Sequence, residues 1–114
     1  MEYIFDATGK RFGRLASEVA VILMGKKTPK YNPRLTGGDK VIVKNIKKVT
    51  FSGANKMINK VYYRHTGYMG HLKSQTLKEA WNKDPAKVFR QAVVKMLPKN
   101  TLASKRLKNL IIEK

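Results

Sequence analysis

Aromatic, basic and hydroxyl side chains crowd into one short segment of the chain, Val61 to Tyr68. Aromatic rings and guanidinium planes stack on unpaired nucleic acid bases, and hydroxyl groups reach phosphate or ribose. For Tyr62 taken alone, packing of a strand against the core explains the ring equally well. The cluster as a whole, with Gly67 and Gly70 beside it, favours contact with RNA. The residues predicted to make that contact are Lys60, Tyr63, Arg64, His65, Thr66, Tyr68 and Lys73.

The start of the first predicted helix is a second place where phosphate could bind. The turn from Gly9 to Gly13 leads from a strand into a helix, and the N–H groups at a helix N-terminus attract anions. The turn is not a Walker loop, because its second glycine comes one residue early, and it is not a dinucleotide-binding glycine motif. A tight strand-to-helix turn is the structural interpretation, and it is compatible with a phosphate contact. We predict that Lys10, Arg11 and Arg14 hold an RNA phosphate there.

Two further basic stretches complete the candidate interface. Prolines and paired glycines predict an extended loop from Lys26 to Gly38. Apolar and basic residues interleave from Lys95 to Asn100, so one side can pack while the other meets phosphate. A solvated helix face is the alternative interpretation of these charges. The predicted RNA-binding residues of both stretches and the segment that follows are Lys26, Lys27, Lys30, Tyr31, Arg34, Lys95, Lys99, Asn100, Lys105 and Arg106.

The sequence offers little for catalysis or for metal binding. It has no cysteine, and its 2 histidines, His65 and His71, are accompanied by few acids. No local set of three or four metal ligands can therefore be drawn. Asp6 in a turn, Asp39 before a strand and Glu79 in a capping box all have structural interpretations. We predict no catalytic residue, no metal, no cofactor and no small-molecule substrate.

The charge balance identifies the class of partner. The 114 residues fit one domain, 1–114, and 25 Lys plus Arg against 7 Asp plus Glu give a net charge of +18. Such an excess repels itself within a compact domain, whereas neutralising nucleic acid phosphates releases counterions and favours binding. No run approaches the ~18 apolar residues needed to span a membrane. No signal peptide opens the chain, so we expect an intracellular protein without a membrane partner.

Hydrophobic periodicity predicts the elements that position these side chains. Tyr3 to Phe5 is a short apolar run before a turn and is predicted to be the first strand. Apolar residues recur on one face of a helix from Phe12 to Leu23, and Gly25 provides its C-terminal stop. The later elements are predicted as strands at Val41–Val43, Val49–Phe51 and, more weakly, Met57–Tyr63, turns over His65–Gly70, helices over Thr76–Asp84, Pro85–Leu97 and Leu102–Leu107, and a strand at Leu110–Ile112.

The order of these elements predicts the fold class. The first strand, the helix and the β-branched run Val41 to Val43 form a right-handed βαβ unit. A continuous run of this kind is typical of a parallel strand that is covered on both faces. The fold is therefore predicted to be α/β, a three-layer α/β/α domain with helices on both faces of a small, mostly parallel sheet.

Motifs along the whole chain resemble those of the bacterial ribosomal protein L13 family. They occur in the family's order and are highly specific when taken together. The matching stretches are Asp6 to Ser17, Gly25-Lys26 with Tyr31 and Pro33, Thr36 to Asp39, Lys60 with Tyr62-Tyr63, His65 to Gly67, and Ala92-Val93 with Met96 to Lys99. The resemblance implies binding to large-subunit ribosomal RNA early in subunit assembly, with neighbouring ribosomal proteins as partners. It also implies a structural, non-enzymatic role in ribosomes of the cytoplasm or of an organelle.

The sequence departs from the family pattern in a few places. Family members usually carry an N-terminal lead-in and a C-terminal tail, and we expect both to be absent from this chain. Ala103-Ser104 replaces a frequent Gly-Arg pair, which affects a contact expected after the Leu-Pro-Lys motif. Met69 and His71 replace the usual Pro and Gly.

Two alternatives to an RNA-binding structural protein stay open on the sequence. A small nucleotide-dependent enzyme would bind mononucleotides rather than fragments of ribosomal RNA, so comparing the two ligands distinguishes it. A basic DNA-binding module would need a recognition helix or a dimer seam, and the basic residues here follow no single helix.

Overall fold

The elements of the fold alternate between short strands and helices. The structure is a computed structural model that describes residues 2–35, 39–51, 60–70 and 72–113. The elements are β1 (Glu2–Asp6), α1 (Phe12–Met24), β2 (Lys40–Lys44), a 3₁₀-helix (Ile46–Lys48), β3 (Val61–His65), β4 (Leu72–Thr76), α2 (Leu77–Lys83), α3 (Pro85–Met96), α4 (Leu102–Leu107) and β5 (Leu110–Ile112).

A parallel sheet in the order β1-β2-β5 lies at the centre of the fold. The central strand β2 pairs in parallel with β1 on one side and with β5 on the other. Helix α1 connects β1 to β2, as the strand-helix-strand pattern predicted. β3 and β4 form a separate antiparallel hairpin. The α/β class with a small, mainly parallel sheet is therefore confirmed.

One face of the parallel sheet packs on the hydrophobic core. Val41 and Val43 of β2 are fully buried, and Leu110 of β5 is the register partner of Val41. The predicted apolar face of α1 lies in the same cluster, together with Phe89 and Val93 of α3. Burial of one such side chain contributes about 1.5 to 3 kcal/mol. This core fixes α1 and α3 relative to the sheet.

The opposite face of the sheet carries a row of three isoleucines. The register sets Ile4, Ile42 and Ile111 side by side, and Ile4 is 64% and Ile111 43% exposed. Alternate residues of a strand share a face, so the charged strand ends flank this row. The flanking register pairs are Glu2 with Lys40 and Asp6 with Lys44. The charges of these two pairs cancel, in contrast to the +18 of the whole chain.

The helix ends follow the capping signals of the sequence. Gly25 ends α1 in the left-handed conformation with φ 82°, which glycine adopts without strain. Thr76 caps α2 by accepting a hydrogen bond of 3.3 Å from the Glu79 N–H, as its capping-box spacing predicted. Asp84 caps α3 in the same way, with Pro85 in the first turn.

The strands between β2 and α2 differ from the prediction. The strand predicted at Val49–Phe51 is wrong, because the described residues there contribute a single bridge, from Thr50 to Arg11. The strand predicted at Met57–Tyr63 is instead β3, Val61–His65, and residues 57–59 lie outside the described ranges. β4 was not predicted, because its Lys-Ser-Gln centre has low β-propensity.

Candidate nucleic-acid interface

The β3–β4 hairpin presents the aromatic cluster to solvent. Tyr63 is 68% exposed, and Tyr68 and Met69 in the turn are 74% and 97% exposed. The turn contains Gly67 with φ 93° and Gly70 with φ 74°, conformations that side chains with a Cβ rarely adopt. The two glycines therefore shape a tight turn that holds large apolar and aromatic surface outside the core.

Two cations face each other across the hairpin. The register pairs Arg64 of β3 with Lys73 of β4, and both side chains are exposed. Like charges directly opposite each other destabilise a strand pair. An anion bound between them removes this repulsion, and a guanidinium can hold a phosphate through two parallel hydrogen bonds. The pair therefore has the charge and the geometry that a phosphate ligand requires.

His65 is held by the turn that follows it. Its Nδ1 accepts a hydrogen bond of 2.9 Å from the Gly67 N–H. A ring nitrogen that accepts is unprotonated, so the neutral ring carries its proton on Nε2. The exposed histidine can therefore stack and donate from Nε2, and the exposed Thr66 beside it brings a hydroxyl. His71, the other histidine of the sequence, lies outside the described residues.

A cavity of about 510 Å³ lies between the start of α1, β3 and α3. It brings together four predicted RNA-binding residues that are far apart in the sequence: Arg11, Arg14, Lys60 and Lys95. Its apolar lining includes Phe12, Phe51 and Met96. Sequence reasoning predicted the cations without placing them around one cavity, because their proximity depends on how α3 packs against α1.

Tyr62 is the cavity residue that sequence reasoning left undecided. It is half-buried, and the Nζ atoms of Lys60 and Lys95 each lie 5.8 Å from its ring centroid. Burial raises the pKa of its phenol. The face of an aromatic ring attracts cations, so the Tyr62 ring helps to hold both ammonium groups at the cavity. Tyr62 therefore belongs to the cavity as well as to the packing of β3, and the alternation of tyrosines along the strand indicated only the packing.

The turn before α1 is anchored to residue 50. The Phe12 N–H donates to the Thr50 carbonyl and the Thr50 N–H donates to the Lys10 carbonyl, each at 2.9 Å. Arg11 at the N-cap makes no capping hydrogen bond through its side chain within the described structure. The Nζ of Lys10 lies 5.1 Å from the ring centroid of Phe5, and Lys10 is not among the described residues that line the cavity.

The predicted basic loop is a series of turns over its described part, residues 26–35. The Nζ of Lys26 lies 5.6 Å from the ring centroid of Tyr31, and that of Lys27 lies 4.8 Å from the ring of Tyr3. Lys30 and Arg34 are exposed. The lysines next to α1 therefore cover aromatic rings while their charges stay at the surface.

Arg106 lies inside the protein, with 1% of its surface exposed. Its Nη2 donates to the carbonyl oxygens of Pro33 at 3.4 Å and Leu35 at 3.3 Å. Its Nε has no hydrogen-bond partner among the described residues. The sequence grouped Arg106 with its exposed neighbour Lys105, but the structure places it as a support of the basic loop, because α4 packs against that loop.

The segment after α3 exposes the remaining candidates. Lys99, Asn100 and Lys105 are at the surface. The Oδ1 of Asn100 accepts a hydrogen bond of 3.0 Å from the Leu102 N–H, so this side chain also starts α4. Buried Leu97 fixes the segment to the core, as the interleaving of apolar and basic residues predicted.

Two other kinds of feature are absent from the described ranges. No three histidine, cysteine or acidic side chains there come together in a group that could hold a metal ion. No helix in the described part of the chain has the length and apolar character needed to cross a membrane.

Comparison with known proteins gives one consistent match. A family model described as "Ribosomal protein L13" matches residues 1–112. The "Large ribosomal subunit protein uL13" of Wolinella succinogenes is 49% identical over 107 residues, which is 94% of this chain and 76% of the relative. The protein of the same name from Thermotoga maritima is 49% identical over 108 residues, covering 95% of this chain and 72% of the relative. That of Alkalilimnicola ehrlichii is 45% identical over 108 residues, covering 95% and 75%.

Proposed function

The chain belongs to the ribosomal protein L13 family, and we propose that it binds large-subunit ribosomal RNA and supports early assembly of the subunit. As a family member it is a structural constituent of the large ribosomal subunit and not an enzyme. Its location is the ribosome. The further partners are neighbouring ribosomal proteins. The chain forms one domain over residues 1–114, which is supported by the common hydrophobic core that joins the described helices and the parallel sheet.

The β3–β4 hairpin is the observation that carries the RNA-binding proposal. It combines the opposed cations Arg64 and Lys73 with the exposed rings of Tyr63 and Tyr68. Unpaired RNA bases stack on such rings, and phosphates pair with such cations. These side chains contribute little to the core, because they are exposed.

The proposed RNA-binding surface extends from the hairpin to three other groups of exposed residues. They lie around the cavity, on the basic loop and after α3. The full set is Lys10, Arg11, Arg14, Lys26, Lys27, Lys30, Tyr31, Arg34, Lys60, Tyr63, Arg64, His65, Thr66, Tyr68, Lys73, Lys95, Lys99, Asn100 and Lys105. We assign Arg106 to the support of the loop instead, because its side chain is buried.

Conservative changes in the hairpin test the RNA-binding proposal. Arg64→Lys keeps the charge but loses bidentate pairing and planar stacking, so affinity for large-subunit ribosomal RNA should fall about 3- to 10-fold. His65→Ala should also weaken binding and remove the local footprint on the RNA. Lys44→Arg, on the sheet face with paired charges, is the matched control and should bind like the wild type.

The opposite result has a defined meaning. If Arg64→Lys and His65→Ala both bind with normal affinity and unchanged footprints, the hairpin is a packing element. The RNA contacts would then have to lie on the other proposed surfaces, first among them the basic loop from Lys26 to Arg34.

The assembly role is tested by order of addition in subunit reconstitution. Adding the protein at the start should speed formation of the complete large subunit, while adding it last should leave an RNA intermediate to accumulate. Equal rates for both orders would show that the protein joins late.

A further inference from the structure

We infer that the cavity beside α1 holds one unstacked nucleotide of the bound RNA, with the base against its aromatic lining and the phosphate against its cations. The inference rests on the RNA binding proposed above and assigns a specific subsite to it. Proteins that read single-stranded RNA commonly splay out a base and enclose it in this way.

The charges around the cavity favour an anionic ligand. Four cations contribute to its lining, and the described lining residues include no carboxylate. The cavity on the other side of Tyr62 is different, because Glu79 and Asp84 line it together with basic residues. The second cavity includes Arg64 and Lys73 of the hairpin and also meets phosphate, but its two carboxylates leave the larger excess of positive charge in the first cavity.

Backbone groups at the start of α1 add to this preference. Gly13 and Arg14 line the cavity in the first turn of the helix. The N–H groups of a first turn have no partner within the helix and carry partial positive charge. Gly13 has open space where a Cβ would stand, so a phosphate can approach the backbone closely.

The apolar part of the cavity is suited to a flat base. The rings of Phe12 and Phe51 stack with centroids 5.0 Å apart and an interplanar angle of 29°. Trp81 packs edge-on against both, and Phe89 packs edge-on against Phe12. These contacts hold the rings in place before a ligand arrives, so little ordering is needed on binding.

The cavity is large enough to accommodate a ligand of the size of one nucleotide. Its volume of about 510 Å³ lies within the roughly 300 to 1,000 Å³ of sites that enclose small ligands. The phenol of Tyr62 and the amide of Gln91 also line it, and both can hydrogen-bond to the edge of a base. A nucleotide thus finds a stacking surface, polar partners and cations in one cavity.

Filling the cavity without changing its charge tests the inference. Ala92 is half-buried in α3 and lines this cavity, so Ala92→Leu places three more carbon atoms there. Affinity for large-subunit ribosomal RNA should fall about 5- to 100-fold, the range expected for loss of one stacked base. Ala86→Leu is the matched control, because Ala86 is half-buried in the same helix and is not in the described lining.

Ultraviolet cross-linking of the complex locates the nucleotide directly. In the wild type, mass spectrometry should find a nucleotide attached to Phe12, Tyr62 or Met96. Ala92→Leu should lose this adduct while keeping those of the hairpin. If Ala92→Leu destabilises the fold, Gln91→Trp fills the same cavity from an exposed position and should give the same loss.

The outcomes separate this inference from the proposed function. A wild-type protein that binds the RNA but forms no adduct with cavity residues would overturn the subsite alone. Failure of the wild type to bind ribosomal RNA would instead overturn the proposed function. The second arm of the experiment uses the mononucleotide AMP. If Ala92→Leu abolishes an adduct with AMP but leaves RNA affinity unchanged, the cavity is a site for free nucleotides, and the inference is overturned.

Discussion

Asp6 accepts three hydrogen bonds at one carboxylate oxygen. Its Oδ1 accepts hydrogen bonds from the Thr8 hydroxyl at 2.7 Å, the Thr8 N–H at 3.0 Å and the Asn45 side-chain amide at 3.2 Å. These bonds, led by that of the Thr8 hydroxyl and supplemented by the charge of Lys48, lower the pKa of Asp6 from 3.8 to about 2. The sequence indicated a turn at Asp6, but the bond to Asn45 depends on the pairing of β1 with β2.

The lowered pKa predicts how Asp6 affects stability at acid pH. The contribution of the Asp6 carboxylate to stability is fully present above its unfolded-state pKa of 3.8. This contribution is lost as the pH falls towards the folded-state pKa of about 2. Urea unfolding from about pH 6 to pH 2 should therefore show a steeper acid loss in the wild type than in Asp6→Asn. Glu18→Gln removes another exposed carboxylate as a control. Parallel profiles for wild type and Asp6→Asn would contradict the assignment.

The sequence does not show which of two adjacent basic side chains is buried. Lys105 and Arg106 are adjacent and both basic, yet Lys105 is exposed and Arg106 has 1% of its surface exposed. Only the docking of α4 against the loop decides which side chain turns inward. The carbonyl oxygens of Pro33 and Leu35 then take the place of water around the guanidinium.

Removing the Arg106 guanidinium should loosen the loop it supports. Arg106→Ala leaves two carbonyl groups without their donor and opens a cavity, so the free energy of unfolding should fall by about 2 to 4 kcal/mol. Trypsin should also cut faster between Lys26 and Arg34. Lys105→Ala is the neighbouring control, with an expected change within about 0.5 kcal/mol. Equal stability of the two variants would mean that the guanidinium holds nothing in place.

At the scale of elements, local signals predicted the helices better than the strands. Periodicity and Gly25 defined α1, and Thr76 and Pro85 marked the starts of α2 and α3, because capping depends on near neighbours in sequence. β4 was missed because Leu72–Thr76 becomes a strand by pairing with β3 rather than by its own propensity. The bridge at Thr50 likewise depends on a partner 39 positions earlier, Arg11.

The two faces of helix α1 should contribute separately, one to stability and the other to RNA binding. Leu15 is 1% exposed in the core, so Leu15→Ala should lower the free energy of unfolding by about 2 to 4 kcal/mol. Arg14 is exposed beside the cavity, so Arg14→Ala should change stability by less than about 0.5 kcal/mol but weaken RNA binding. Chemical denaturation and RNA titration of both variants measure the two effects. Similar destabilisation by the two changes would show that the faces are not independent.

For the whole molecule, the distribution of charge matters more than its total. Composition gives the net charge of +18 and therefore the class of partner, but it does not show which surfaces carry that charge. The register of the sheet pairs Glu2 with Lys40 and Asp6 with Lys44 around the isoleucine row. The unpaired excess of positive charge therefore lies elsewhere, on surfaces that include the hairpin, the cavity and the basic loop. Sequence could not show this, because each register pair joins residues 38 positions apart.

This uneven distribution of charge predicts which lysines determine the salt dependence of RNA binding. The logarithm of affinity should fall linearly with the logarithm of salt concentration, by roughly 0.7 to 0.9 per phosphate neutralised. Lys99→Ala removes one exposed cation after α3 and should lower that slope by about one unit. Lys44→Ala removes the same charge from the sheet face that carries its register partner Asp6, so its slope should match the wild type. Titration of large-subunit ribosomal RNA at a series of salt concentrations measures all three slopes.

If Lys44→Ala lowers the slope as much as Lys99→Ala, RNA reaches the sheet face as well. If the wild-type slope itself is flat, binding does not depend on the excess positive charge.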